Sequence, residues 1–67
     1  MFGKITSLKM HSRYGFIKLA ASPKTAFFHE HSFSGAPFDA NLLGREVEFV
    51  LSEDAQGLRA RNVLLLD

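Results

Sequence analysis

Tyr14, Phe16 and Lys18 are spaced by two residues, and so are Phe27 and His29 a little further along the chain. On a β-strand successive side chains point to opposite faces, so Tyr14, Phe16 and Lys18 share one face while Gly15 and Ile17 share the other. The same count puts Phe27 and His29 on one face, with Ala26 and Phe28 behind them. Pairing of the two segments as antiparallel neighbours brings Tyr14, Phe16, Phe27 and His29 together on one side of a sheet, flanked by Arg13 and Lys18. Three aromatic rings and an imidazole among cations form a platform on which unpaired bases can stack. So small a domain cannot bury both faces of every strand, so one aromatic set is core and the other meets water or a loop.

The chain of 67 residues is short enough for one domain, expected over residues 1–67, with a small core. It has no cysteine, so neither disulfides nor thiolate metal sites can brace it. The formal net charge is +1, whereas a duplex binder is usually more basic, so affinity for nucleic acid should lean on stacking more than on phosphate contacts. No apolar run approaches the roughly 20 residues that span a bilayer, and Met1-Phe2-Gly3-Lys4 lacks a signal-peptide pattern. A soluble, unexported, cytoplasmic protein without membrane association is the expectation.

The elements that would position the aromatic set follow in order. Gly3 to Met10 reads as a first strand with Ile5 inward and a break in alternation before Leu8, the mark of a possible bulge. His11-Ser12-Arg13 is a short connection, Tyr14 to Leu19 a second strand, and Ala20 to Lys24 a turn containing Pro23. Thr25 to His29 is a third strand rich in β-formers. Glu30 to Gly44 has no clear period, and a helical turn is expected near His31 to Ser34. Arg45 to Leu51 alternates, with Val47, Phe49 and Leu51 inward. Ser52 to Gly57 reads as a polar turn and Leu58 to Leu65 as the fifth strand, with Arg59 and Arg61 on one face. Steps of two at 47, 49, 51 and at 58, 60 exclude a helical reading. Five short strands with polar turns predict a small all-β barrel.

With the motifs in place, the chain resembles a cold-shock domain, a five-stranded antiparallel OB-fold barrel that binds single-stranded RNA or DNA. Tyr14-Gly15-Phe16-Ile17 resembles the core of the family's first RNP motif, and Phe27-Phe28-His29 its second. Phe38 follows a Gly/Pro loop where the family has a further stacking Phe. Gly44 to Phe49 resembles the Gly-x-x-Val-x-Phe of the fourth strand, and Ala60-Arg61-Asn62-Val63 the Ala-x-Asn-Val of the fifth. The likeness runs from Gly3 to about Leu64. It implies base stacking on Tyr14, Phe16, Phe27, His29 and Phe38, backbone attraction from Lys9, Arg13 and Lys18, and a role as an RNA chaperone or a regulator of transcription or translation.

The departures are specific. Thr6, Ser7 and Leu8 stand where the family usually has Lys-Trp-Phe, Ser12-Arg13 where the bacterial type has Lys-Gly, and Glu30 where an aromatic or small residue is common. A stacked base is worth roughly 1–3 kcal/mol, so the loss of one or two platforms is expected to weaken binding about 10- to 1000-fold or more. The Phe-Phe-His variant is also similar to divergent domains of eukaryotic proteins that carry several cold-shock domains.

Other readings compete. Aromatic residues are most often core, but Ile5, Ile17, Phe28, Val47, Phe49 and Val63 already fill the opposite face. Phe33 reads as capping the core, and Phe38 is divided evenly between packing within its loop and stacking on a base. His29 and His31 without a cysteine or convergent carboxylates do not make a zinc site, so neither metal nor cofactor is expected. With no phosphate loop before a helix and no partnered nucleophile, no enzyme is expected either. The principal alternative is a protein-interaction module on the same barrel, motivated by Ser7 and Glu30, since an exposed apolar patch also suits a protein partner. An SH3-like peptide-binding barrel is a weaker one. A monomer is the expected state.

Overall fold

In the computed structural model, which describes residues 1–66, the chain is an all-β barrel. Asp67, the last residue of the expected domain, lies outside the described residues. The strands are β1 (Phe2–Lys9), β2 (Tyr14–Leu19), β3 (Thr25–His29), β4 (Phe33–Ser34), β5 (Glu46–Asp54) and β6 (Gly57–Leu65). Their order in the sheet is β3-β2-β1-β5-β6-β4, and a β3–β6 pairing closes it. Five strands make the OB-type barrel and β4 is a two-residue addition alongside β6. Neighbouring strands run antiparallel except in two places: β3 meets β6 in parallel at the closure, where Phe27 pairs with Arg59, and β4 lies parallel to β6, where Phe33 pairs with Val63.

Two irregularities bend the sheet. Ile5 pairs with Ile17 but Ser7 with Phe16, so Thr6 is the extra residue of a bulge in β1. This is the break in alternation ahead of Leu8, and it returns Ser7 and Lys9 to the face that carries Phe16 and Tyr14. On β6 the pairing steps from Leu64–Glu48 to Arg61–Val50, leaving one residue too many on β6. Asn62 absorbs it with φ at +52°, a left-handed conformation that Asn tolerates better than most residues. The alternation expected through β6 is therefore interrupted, with Ala60 and Val63 both buried.

Several element bounds differ from those expected. The polar stretch Ser52 to Gly57 is not all turn. β5 runs on to Asp54 and β6 begins at Gly57, leaving Ala55 and Gln56 as the turn. Gly57 has φ of +121°, and Asp54 Oδ1 accepts the Gln56 N–H at 2.9 Å, which together close the tight hairpin. The helical turn lies at Glu30–Ser32, one residue earlier than expected, and gives way to β4 at Phe33. A second 3₁₀ turn, Ala40–Leu42, forms in the long loop, capped by the Asp39 carboxylate on the Asn41 N–H.

The core consists of Ile5, Ile17, Leu19, Ala26, Phe28, Leu42, Val47, Phe49, Ala60 and Val63. Leu42 plugs it from the loop, which is pinned to β1 by Gly44 N–H on the Ile5 carbonyl and Ile5 N–H on the Arg45 carbonyl. Phe33 packs partly buried against this core, as its capping role requires. With Ile17 and Phe28 fully buried, period two along β2 and β3 leaves Phe16 and Phe27 on the outer surface.

Candidate nucleic-acid interface

Residues opposite each other on paired strands project to the same face. The β1–β2–β3 register therefore lays out the outer surface in rows. Lys9, Tyr14 and His29 form one row, Ser7, Phe16 and Phe27 the next, and Lys4, Lys18 and Thr25 the third. Tyr14, Phe16, Phe27 and His29 are partly exposed, while Gly15, Ile17, Ala26 and Phe28 behind them are buried. Gly15 is required there, because a Cβ would lie 2.6 Å from the Ser7 carbonyl oxygen.

The three rings form one cluster. Tyr14 and Phe27 have centroids 5.2 Å apart at a tilt of 36°, while Phe16 meets Tyr14 at 5.9 Å and Phe27 at 6.0 Å edge to face. Such packing holds the rings at fixed angles and leaves their outer faces to a ligand. His29 extends the surface toward His31: the two rings are 4.6 Å apart, and His29 Nδ1 accepts the His31 N–H at 3.2 Å.

The cations divide into two groups. Lys9 and Lys18 are exposed at either end of the aromatic rows, and among the described residues neither is ion-paired. Arg13 is engaged. Its Nε lies 3.1 Å from Glu30 Oε1, its carbonyl accepts the Glu30 N–H at 2.9 Å, and its guanidinium sits 5.8 Å from the centre of the Phe38 ring. Phe38 is half-buried, with the Phe28 ring at 6.0 Å and the Phe33 ring at 6.4 Å. Phe38 thus packs against the buried Phe28 of β3 and against Phe33 of β4, and Arg13 lies over its ring.

Sequence reasoning missed a contact at the barrel's closure. Arg59, opposite Phe27 in the parallel pairing, places its guanidinium 5.1 Å from the Phe27 ring centre and its Nε 3.4 Å from Asp54 Oδ2. No local pattern along β6 signals this, since β3 and β6 are distant in sequence.

An aromatic cluster on the β2–β3 face of a barrel of this topology is the arrangement that the RNP-like motifs imply. Residues 1–66 match the family described as the 'cold-shock' DNA-binding domain. The chain belongs to this family. A cold-shock domain is a nucleic-acid-binding module, not an enzyme, and its family binds single strands. A solved structure described as drosophila Unr CSD456 is similar, with a TM-score of 0.77 and 26% identity over 98% of this chain. This chain spans 26% of the length of that one. No curated protein matches the chain. Among the described residues, no helix is long and apolar enough to cross a membrane.

Proposed function

We propose that this cold-shock domain binds single-stranded RNA or DNA by stacking bases on Tyr14, Phe16, Phe27 and His29. The observation that carries the reading is the ring cluster, three aromatic side chains within 6.0 Å of one another on an outward sheet face. Lys9 and Lys18 at its two ends supply attraction for the phosphates. Arg13 contributes less than its position in the sequence implies, because Glu30 and Phe38 already engage it. Phe38 is available to a base only where its ring emerges from under Arg13. The biological role that fits is that of a cytoplasmic, monomeric RNA chaperone or a regulator of transcription or translation, which keeps strands open by trapping them without fuel.

The competing reading, a protein-interaction surface on the same face, rested on Ser7 and Glu30. The Glu30 charge is answered by Arg13, which lessens its repulsion of phosphate. Ser7 lies opposite Phe16, so the missing ring leaves the platform narrower. Titration of labelled oligo-U, oligo-dT and a duplex, by anisotropy at two salt concentrations, separates the readings. Stacking with phosphate contacts predicts binding to single strands only, weakened by salt. No binding of either single strand at low salt would contradict it and turn attention to a protein partner.

A further inference from the structure

Beside the ring cluster, a cavity of about 250 Å³ opens between the aromatic face and the β5–β6 hairpin, lined by Phe16, Phe27, Asp54, Gln56, Gly57 and Arg59. Its wall combines an aromatic surface with a fixed donor–acceptor pair. We propose that this cavity is a base-recognition pocket that selects guanine. The inference rests on the single-strand reading above and adds a sequence preference to it.

The pocket's polar groups are held before any ligand arrives. Asp54 is oriented by the hairpin, since its Oδ1 accepts the Gln56 N–H at 2.9 Å. Arg59 is oriented by Phe27 at 5.1 Å and by Asp54 Oδ2, 3.4 Å from its Nε. Neither contact exhausts its partners. Each carboxylate oxygen has a second lone pair, and the guanidinium has two terminal amino groups beyond Nε. An acceptor of two hydrogen bonds therefore stands next to a donor of several, at the rim of a stacking surface.

Among the bases, guanine matches that order best. Its Watson–Crick edge presents N1–H and the N2 amino group side by side, a pair of donors for one carboxylate, with the O6 acceptor next to them for the guanidinium. Uracil and thymine offer a single ring N–H between two carbonyls. Adenine and cytosine offer one amino group beside a ring-nitrogen acceptor. Only guanine gives Asp54 a two-point contact while leaving an acceptor for Arg59. Both side chains are about half exposed, 50% and 42%, so the preference is modest, about tenfold for one bidentate contact in such a setting.

The test compares a labelled hexauridylate with hexamers carrying one guanine, adenine or cytosine at each position in turn, on the wild-type chain, Asp54→Asn and Phe27→Ala. Asparagine keeps an oxygen for the Gln56 N–H but loses the two-acceptor edge. The pocket predicts that one guanine position binds about tenfold tighter than hexauridylate. The preference for guanine over uracil should fall to within about twofold in Asp54→Asn, even where release of Arg59 raises the affinity for every hexamer alike, whereas Phe27→Ala weakens all oligomers. Equal binding of all hexamers, or a guanine preference that survives Asp54→Asn, overturns the pocket and leaves the stacking reading standing. Failure of wild type to bind any hexamer overturns both.

Discussion

The Arg13 Nε lies 3.1 Å from Glu30 Oε1, and the two residues are also joined through the backbone by the Glu30 N–H on the Arg13 carbonyl. Arg13 adopts φ of +63°, a left-handed conformation in which glycine is the ordinary choice. Arginine thus accepts local strain, and its side chain bridges the end of the β1–β2 hairpin to Glu30 and the Phe38 ring. The contact ties the aromatic face to the long loop, and it withdraws a cation from the surface where phosphates would lie.

Glu30→Gln should free Arg13 without removing side-chain volume. Affinity for oligo-U is expected to rise, and the dependence of log K on log salt to steepen by about 0.7, the value for one added phosphate contact on a single strand. Anisotropy titrations at several salt concentrations measure both. An unchanged slope means that Arg13 cannot reach the strand even when released. The loss of stability should be small, about 0.2–1 kcal/mol, as for other exposed ion pairs.

Ser7→Trp should restore a ring opposite Phe16. The β1 bulge at Thr6 puts position 7 on the outer face, so the indole would extend the row of Phe16 and Phe27. One more stacked base is worth roughly 1–3 kcal/mol, an increase in affinity of about 5- to 150-fold for oligo-U. The same substitution on the inner face would disrupt the core, so unchanged affinity with lost stability would place residue 7 inward.

Gly15→Ala should destabilise the domain although it adds only a methyl group. The new Cβ would stand 2.6 Å from the Ser7 carbonyl oxygen, 2.9 Å from Leu8 Cδ2 and 3.0 Å from Phe28 Cε1. Backbone and core would both have to shift, at a cost of about 1–3 kcal/mol. Urea unfolding measures it, and a loss below about 0.5 kcal/mol would show that β1 and β2 are spaced more widely than described.

Asn62 is exposed, so its substitution tests backbone conformation with little change in packing. At φ of +52°, Asn62→Gly should leave stability nearly unchanged. Asn62→Val should cost about 1–3 kcal/mol, because a β-branched residue resists the left-handed region. Equal stability of the two variants would remove the bulge from β6.

The parts of the fold that were legible in the sequence are those with local period two. β2 and β3 end where alternation ends, and the interruption before Leu8 marks the β1 bulge, because a bulge shifts the inward set by one. The turn ending at Gly57 was legible from its polar residues and the glycine, but its length was not. Glu53 and Asp54 look like loop residues, and only their cross-strand partners Leu58 and Gly57 make them strand. Leu42 was missed as core because a single apolar residue in an aperiodic loop carries no directional signal, and its burial comes from the Asp39-capped turn. In the candidate site, the meeting of Tyr14, Phe16, Phe27 and His29 follows from pairing adjacent strands. The engagement of Arg13 and the approach of Arg59 to Phe27 depend on contacts between residues far apart in the chain, which no spacing encodes.

The most direct measurement of the central claim is an NMR titration of the aromatic ring and methyl protons with oligo-U. Stacking predicts upfield ring-current shifts at Tyr14, Phe16, Phe27 and His29 that saturate together, with little change at buried Phe28 and Phe49. Saturable binding that shifts instead the exposed residues Phe2, Val50 and Leu64 of the β1–β5–β6 face, or no shift at any ring, would contradict it.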